Sequence, residues 1–422
     1  MAAHEHLEFG CGRRSLGAGL GGREPFAFPG TQRRYAPDRS ADIRHTRLEI
    51  AFDPEVIALR GAATHPFTAL MDATTVLHLH AGELTIESVR DETGATLTFR
   101  HAGEDLYIDL PQPLEFDEPG AVTVHYSATP RRGIYFIHPD AGYPDKAYQV
   151  WTQGQDEDSR YWFPCFDHPA EKFSSEILAR VPAKYTAVSN GALLDKTEHD
   201  DGTVTWHWKQ EAEHSAYLVT LCVGEFEELV LDREPVPLTA YVPHGFRAIA
   251  ERAFGRTKAM VDHLAERFGV PYPYEKYAQV VVEDFIFGGM ENTSATTLID
   301  LMLYDDRAAL DFDMDGLVVH ELAHQWWGDL LTCREWPHAW LNEGFATFTQ
   351  VVWKEHAEGA DEAAWERFGH AANYRTEDGR EYRRAIVDRR FEEPIDLFDR
   401  HLYEKGSLVL HMLRKELGVE SF

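Results

Sequence analysis

The segment Val318–Thr332, VVHELAHQWWGDLLT, constrains the fold most, because its residue spacing has chemical meaning only on an α-helix. A helix advances 3.6 residues per turn, so His320 and His324 fall on one face, one turn apart. Two imidazoles placed in this way can bind one Zn²⁺ ion, and Glu321 beside them can handle the proton of a metal-bound water. Because the chain contains 22 histidines, the pattern alone is a moderate signal and requires a further ligand elsewhere.

The candidate for that ligand is Glu343, in the segment WLNEGFATF, because a catalytic zinc usually takes three protein ligands and leaves a fourth position open. Glu343 lies nineteen residues after His324, on an apolar-periodic stretch that predicts a helix from Ala339 to His356. If the two helices pack side by side, this carboxylate faces the two histidines. An ordinary glutamate favoured by the dipole of the first helical turn is the alternative. We therefore predict one zinc ion per chain, bound by His320, His324 and Glu343.

The segment FGGMEN, Phe287–Asn292, lies about thirty residues before the helix that contains HELAH. It follows the apolar run AQVVVEDF, which predicts a strand. Its two glycines have no Cβ, so an extended peptide could lie against this edge and exchange main-chain hydrogen bonds with it. Glu291 could then bind the free α-ammonium of such a peptide. A simple turn is the alternative reading of a Gly-Gly pair.

The segments GGMEN, HELAH, NEGFA and YEKG, the last at Tyr403–Gly406, occur in an order and spacing that resemble the M1 family of zinc aminopeptidases. These gluzincins include aminopeptidase N and leukotriene A4 hydrolase. The resemblance extends to segments that start at Tyr35, Thr152 and Cys222, and so covers nearly everything after residue 34. It implies removal of the N-terminal residue from peptides that have a free N-terminus, by Glu321-assisted attack of a zinc-bound water.

The same resemblance implies roles for residues outside the metal centre. Tyr403 would donate a hydrogen bond to the oxyanion formed on the peptide carbonyl. Glu291 would bind the α-ammonium, with Gln155 of the TQGQ segment as its second partner. The remaining substrate-binding positions, some of them around a pocket for the first side chain, are Gln153, Phe287, Gly288, Gly289, Met290 and Phe398. The aromatic pocket positions favour an apolar or aromatic first residue.

Composition limits the classes of partner and the compartment. The net charge of −30 disfavours nucleic acid and anionic membranes, and favours cationic peptide termini. No apolar run approaches the ~20 residues of a membrane helix, and the first residues lack a signal-peptide core. The four cysteines, Cys11, Cys165, Cys222 and Cys333, are scattered without CxxC pairs, which indicates buried thiols in a reducing compartment. We predict a cytoplasmic protein with no nucleic-acid or membrane partner.

The pattern along 422 residues predicts a multidomain chain. Residues 1–34 are rich in Gly and Arg and predict a flexible extension. Residues 35–229 contain short alternating runs separated by turns, which predict an all-β domain, saddle-like by resemblance. Residues 230–422 predict a mainly helical α/β catalytic domain, thermolysin-like by resemblance, with a helix near 246–268 and a strand at 277–284. Family members normally continue into a C-terminal helical domain, so we expect this domain to be absent from the chain, as in a fragment or a short member.

Two other functions stay open at this point. An epoxide hydrolase of the leukotriene type would use the same zinc and anchor residues, but it needs a further acid and a lipid tunnel that the sequence does not identify. Phe398 stands five residues before Tyr403, where such hydrolases tend to have a tyrosine, and disfavours this function. A non-catalytic assembly subunit is the other possibility, and the intact set of ligands disfavours it.

Overall fold

The alternating sequence of the first half folds into strands, as its period of two predicts. In the computed structural model, which describes residues 25–422 except Glu420, every second side chain of the long strand Lys172–Pro182 is buried. The strands of this half are β1 (Ala41–Ile43), β2 (His45–Ala51), β3 (Leu59–Ala69), β4 (Thr74–His80), β5 (Thr85–Asp91), β6 (Thr96–Leu97), β7 (Phe99–Ala102), β8 (Asp105–Leu114), β9 (Pro119–Ala128), β10 (Ile134–Ile137), β11 (Gln149–Thr152), β12 (Lys172–Pro182), β13 (Thr186–Ser189), β14 (Ala192–Glu198), β15 (Thr203–Ser215) and β16 (Leu221–Gly224).

These strands form a large sheet and two smaller ones. The large sheet has the order β14-β15-β12-β2-β3-β9-β5-β6, with β1 paired to β3. The smaller sheets have the orders β4-β8-β7 and β10-β11-β16-β13. Their inner faces share one hydrophobic core, in which Leu48, Val124 and Phe173 are fully buried. This half is the predicted β-rich domain.

The second half combines one sheet with helices. Its elements are β17 (Phe226–Asp232), β18 (Leu238–Pro243), α1 (Arg247–Ala253), α2 (Thr257–Phe268), β19 (Tyr277–Val282), β20 (Gly289–Met290), β21 (Ala295–Ile299), α3 (Asp315–His324), α4 (Trp340–Ala357), α5 (Ala360–Arg380) and α6 (Glu404–Leu417). The sheet order is β17-β18-β19-β21-β20. β19 runs parallel to both neighbours and is buried throughout, which explains its continuous apolar sequence YAQVVV.

The helix predicted near 246–268 is two helices, because α1 ends at Ala253 and α2 begins at Thr257. Gly255 lies in the break, where its low helix propensity favours a turn. The predicted strand at 277–284 ends two residues earlier, at Val282. The helix predicted from Ala339 to His356 is confirmed by α4, and the predicted division after residue 229 falls within β17, which pairs with β18.

The last ten residues of the predicted flexible extension are held against the second half of the chain. The amide of Arg34 donates to the carbonyl of Arg389 at 2.8 Å, and Phe26 packs on Tyr382 with 5.2 Å between ring centroids. Residues 1–24, which include Cys11, lie outside the described residues. The other cysteines, Cys165, Cys222 and Cys333, are buried free thiols, as predicted. Among the described helices, none combines the length and apolarity needed to cross a membrane.

Candidate metal centre and peptide-binding site

The side chains of His320, His324 and Glu343 converge at the contact between α3 and α4. The Nε2 atom of His324 lies 3.1 Å from Nε2 of His320 and 3.2 Å from Oε2 of Glu343. The same glutamate oxygen lies 3.4 Å from Nε2 of His320. The structure therefore brings together the three ligands that the sequence predicted, from two helices that are separate in the chain.

The outer nitrogen of each imidazole has a hydrogen-bond acceptor. Nδ1 of His320 lies 3.0 Å from Oε1 of Gln350, and Nδ1 of His324 lies 2.8 Å from the carbonyl of Trp327. Each Nδ1 therefore carries a proton in the neutral ring, and each Nε2 presents a lone pair toward Glu343. When both rings are neutral, their Nε2 lone pairs and the Glu343 carboxylate form a donor set that fits a divalent cation such as Zn²⁺.

The sequence analysis missed Gln350. It lies seven residues after Glu343 on α4, two helical turns further along the same face. The spacing of seven residues from Glu343 could have identified Gln350. A side chain two helical turns after Glu343 on α4 also faces α3, where His320 lies.

The electrostatics of the centre favour positive charge. Burial opposes ionisation of Glu343, but the histidines lower its pKa to about 2. Burial likewise lowers the pKa of His324, yet the carboxylates of Glu291 and Glu343 raise it well above the ordinary value. Burial is the main cause that raises the pKa of Glu321 well above its ordinary value. The carboxyl groups of Glu291, Glu321 and Glu343 are thus buried close together, and the imidazoles beside them partly compensate their negative charge.

Glu321 lies directly beside the edge strand β20. A Cβ at Gly289 would overlap Oε1 of Glu321, so any larger residue here would displace the Glu321 carboxylate. β20 pairs antiparallel with β21, and the carbonyl of Gly288 accepts a hydrogen bond of 3.0 Å from the amide of Ile299. The glycine pair therefore brings the backbone of the sheet edge against the proposed base, a contact that the sequence did not indicate.

Glu291 and Gln155 meet although they come from different halves of the chain. Nε2 of Gln155 donates to Oε1 of Glu291 at 3.3 Å, and Nε2 of Gln325 donates to the Glu291 carbonyl at 3.0 Å. Burial raises the pKa of Glu291 to about 7. Beside this pair, Nε2 of Gln153 lies 3.1 Å from Sδ of Met290. The residues predicted to bind the substrate amine are therefore neighbours in space.

Tyr403 lies immediately before α6 and reaches the metal centre. Its ring stacks on that of His320, with 6.1 Å between centroids and 23° between planes. A Cβ at Gly344 would lie 3.1 Å from Cα of Gly406, so these two glycines allow α4 and α6 to approach closely. The glycines of NEGFA and YEKG thus bring Glu343 and Tyr403 to the same site.

The two predicted pocket aromatics differ in accessibility. Phe287 is half-buried and packs edge-to-face with Phe285 at 6.3 Å, whereas Phe398 is fully buried against Trp336. Both belong to the hydrophobic cluster that contains Met290. Phe287 therefore offers surface to a ligand in this arrangement, and Phe398 supports the wall behind it.

The fold and site define a metallopeptidase-like architecture, and comparison with known proteins identifies the family. The Peptidase M1 N-terminal domain model matches residues 42–218, and the Peptidase family M1 domain model matches residues 252–422. These two models together cover most of the chain. The chain therefore belongs to peptidase family M1.

Curated relatives agree with this assignment. The chain is 30% identical over 351 residues to probable aminopeptidase 2 of Sulfurisphaera tokodaii, a match that covers 80% of this chain and 43% of the relative. It is 28% identical over 369 residues to endoplasmic reticulum aminopeptidase 1 of Homo sapiens, a match that covers 83% of this chain and 39% of the relative. The chain thus spans less than half the length of these relatives.

A solved structure shares the fold of this chain over nearly the whole length of both chains. It is a mutant of the M1 zinc metallopeptidase of Deinococcus radiodurans bound to a Tyr-Ser-Ala substrate. The TM-score is 0.75 at 24% sequence identity, and the match covers 94% of this chain and 86% of that one. The β-rich domain followed by an M1 catalytic domain is therefore confirmed as the architecture.

Proposed function

We propose that this chain is a zinc-dependent aminopeptidase that removes the N-terminal residue from peptides. The observation that supports this proposal best is the pairing of a His-His-Glu centre with a separate buried carboxylate, Glu291, hydrogen-bonded to Gln155. The first arrangement suits hydrolysis at a carbonyl, and the second suits capture of a cationic terminus beside it.

His320, His324 and Glu343 would hold one zinc ion. When bound, Zn²⁺ supplies Lewis acidity, which polarises a carbonyl and makes a water more acidic. Glu321 does not belong to the ligand set and would take the proton of the attacking water, a role that its position between His320 and the sheet edge supports. The same carboxyl group then delivers that proton to the leaving amine.

Tyr403 would stabilise the negative charge that develops on the carbonyl oxygen. Its ring stacks on that of His320, and a phenol beside this centre can donate a hydrogen bond to the oxyanion. A donor fixed before the reaction starts needs no reorganisation when charge develops, which is the source of its catalytic effect.

Glu291 and Gln155 would hold the α-ammonium, while the backbone of Gly288, Gly289 and Met290 supports the peptide as an added strand. A substrate with an amide at this position would leave the Glu291 carboxylate buried and unpaired. Exopeptidase selectivity follows from this penalty. Gln153 and Phe287 would line the pocket for the first side chain, with the buried Phe398 in the same hydrophobic cluster as Phe287, and would favour apolar or aromatic residues. The cytoplasmic location inferred from the sequence stays a prediction.

The test is hydrolysis of aminoacyl-p-nitroanilides by the zinc-loaded protein, with and without N-terminal acetylation. We expect release of p-nitroaniline from free-amine substrates and little from acetylated ones, with leucine and phenylalanine derivatives among the best. Equal cleavage of both forms would indicate an endopeptidase. No cleavage of either form, at full zinc occupancy, would contradict the proposal in favour of an epoxide hydrolase or a non-catalytic subunit.

A further inference from the structure

Lys276 is a buried lysine at the boundary between the two halves of the chain, and burial lowers its pKa to about 7. It precedes β19 and has only 8% of its surface exposed. Its ammonium donates to the carbonyl of Ser189 at 2.7 Å, and to the carbonyl and hydroxyl of Ser294 at 3.2 and 3.4 Å. Among the described residues Lys276 forms no ion pair, and its Nζ lies between oxygen acceptors of the two halves and 5.0 Å from the centroid of the Trp208 ring.

Ser294 connects this lysine to the proposed amine anchor. The backbone of Ser294 has a left-handed φ of 62°, which turns the chain sharply after the GGMEN segment. Its amide donates to Oε1 of Gln325 at 2.8 Å, and Nε2 of the same glutamine donates to the carbonyl of Glu291 at 3.0 Å. The carboxamide of Gln325 therefore holds both ends of the segment 291–294, and Lys276 donates to the second end as well.

The β-rich half contacts the same segment through the turn between β13 and β14. Nδ2 of Asn190 donates to the carbonyl of Thr293 at 2.7 Å, and the amide of Gly191 donates to the hydroxyl of Ser294 at 2.7 Å. These contacts join residues that are 103 positions apart in the chain. The β-rich half thus holds the backbone of the anchor segment, in addition to supplying Gln155 to the Glu291 side chain.

We propose that Lys276, with Asn190, forms an interdomain clamp that positions Glu291 for the substrate amine, which makes Lys276 a positioning residue for terminus recognition. This inference rests on the proposed aminopeptidase function and extends it, because it assigns part of the exopeptidase selectivity to the domain boundary. The physical basis is that buried carbonyls at a sharp turn must be hydrogen-bonded, and here both domains provide the donors. Loss of the ammonium would leave the carbonyl of Ser189 without that donor and free the turn to move.

The first test is a double-mutant cycle of Lys276→Met and Glu291→Ala, measured as kcat/KM on free-amine substrates at full zinc occupancy. Lys276→Met alone should lower kcat/KM by roughly 10², mainly through KM, because a shift of about 1 Å in a positioning group costs this much. In the Glu291→Ala background the same substitution should cost almost nothing further, because its target is already gone. Additive losses would overturn the clamp and leave a purely structural role.

Lys172→Met is the matched control. Lys172 also joins the two halves through carbonyls, with Nζ at 2.8 Å from Asp329 O and 3.1 Å from Leu330 O, but it does not contact the segment 291–294. Any effect of its loss should therefore combine additively with Glu291→Ala. A non-additive result for Lys172→Met as well would contradict the assignment of the clamp to Lys276.

A second measurement separates failure of the clamp from failure of the proposed function, and does not need activity. Amide hydrogen exchange of the peptide that covers 291–297 should be faster in Lys276→Met than in the parent, and unchanged in Lys172→Met. Ser294→Ala, a milder variant that should fold, should speed the same peptide to a smaller extent. Unchanged exchange in both variants would overturn the clamp. A parent that cleaves no aminoacyl substrate but shows the expected exchange would contradict only the aminopeptidase proposal.

Discussion

Among the residues that the structure describes, two largely buried clusters combine histidine with carboxylates, yet only one of them suits a metal ion. His320, His324 and Glu343 form the first, and Glu377, Asp399 and His401 form the second, each with potential ligand atoms within 4.8 Å of one another. In the second cluster, the fully buried guanidinium of Arg384 donates to both oxygens of Asp399 at 2.7 and 2.5 Å. In the first, the ion pairs of Glu343 that the structure describes are with histidines only.

The two clusters contain the same types of potential ligand, but among the described residues only the second contains a buried arginine, Arg384. This guanidinium, rather than the ligand types, decides whether the cluster can accept a metal ion. Burial lowers the pKa of His320, so its imidazole is neutral and its lone pair is available. Burial also acts against the charge of His401, but its hydrogen bonds to Asp399 and Glu377 raise its pKa, as the carboxylates do for His324, so the guanidinium of Arg384 is what distinguishes the second cluster. The second cluster is an internally neutralised ion network, and the first leaves space for a metal charge.

The largest effect is expected from Glu321→Gln in the first cluster. Turnover of free-amine substrates should fall by about 10² to 10⁴, because the proton acceptor is lost while each ligand remains. The zinc content, measured by elemental analysis, should be unchanged. Glu377→Gln in the second cluster is the matched control and should leave turnover close to that of the parent. A Glu321→Gln variant with near-normal turnover would mean that another residue accepts the proton.

The next effect concerns stability. Arg384→Met should lower the free energy of unfolding by about 3–5 kcal/mol, because it leaves the Asp399 carboxylate buried without its main counterion. Urea denaturation measures this change. Arg131→Met is the control, since Arg131 pairs with Glu83 at the surface, where both side chains are exposed, and its loss should change stability little. Equal effects of the two substitutions would show that Arg384 does not neutralise the second cluster.

Glu291→Ala should give a somewhat smaller effect, on substrate selection. Pairing of the carboxylate with an α-ammonium in a partly dehydrated cleft should contribute about 2–4 kcal/mol, so kcat/KM for free-amine substrates should fall by roughly 10² to 10³. Acetylated substrates should be poor for the parent and the variant alike. If the variant cleaves free-amine peptides as fast as the parent, the amine is bound elsewhere.

The smallest effect is expected outside the ligand set, at Gln350. Gln350→Leu removes the acceptor for Nδ1 of His320 and should weaken zinc binding by about 10- to 100-fold, as measured by competition with a chelator. Gln350→Glu keeps an acceptor oxygen at the same position and should retain tight binding. Equal affinities for the Leu variant and the parent would show that His320 needs no partner to orient it.

The contrast between the clusters also shows what the sequence could predict. The three predicted metal ligands lie on two apolar-periodic stretches, so local pattern and one helix-packing assumption were enough to predict that their side chains converge. The α4 helix was predicted to within one residue at each end. The strands of the first half could be predicted from local pattern as well. Their apolar residues alternate with polar ones because only one face of each strand is buried.

Long-range contacts could not be predicted from these patterns. Gln155 and Glu291 are 136 positions apart, and Lys276 and Ser189 are 87 apart, so only the assembled fold shows that they meet. Gly344 and Gly406 have no local signal that they face each other across α4 and α6. Arg384 belongs to a segment without periodicity, and its burial depends on the network around Asp399. Such contacts are properties of packing rather than of any single element.

The most direct test of the account is the zinc content of metal-stripped and reloaded protein, compared for the parent, Glu343→Ala and Glu377→Ala. The account predicts one zinc per chain in the parent, a large loss in Glu343→Ala and full retention in Glu377→Ala, provided that circular dichroism shows each variant to be folded. Zinc retained in folded Glu343→Ala, or lost to the same extent in folded Glu377→Ala, would contradict the assignment of the metal to the first cluster.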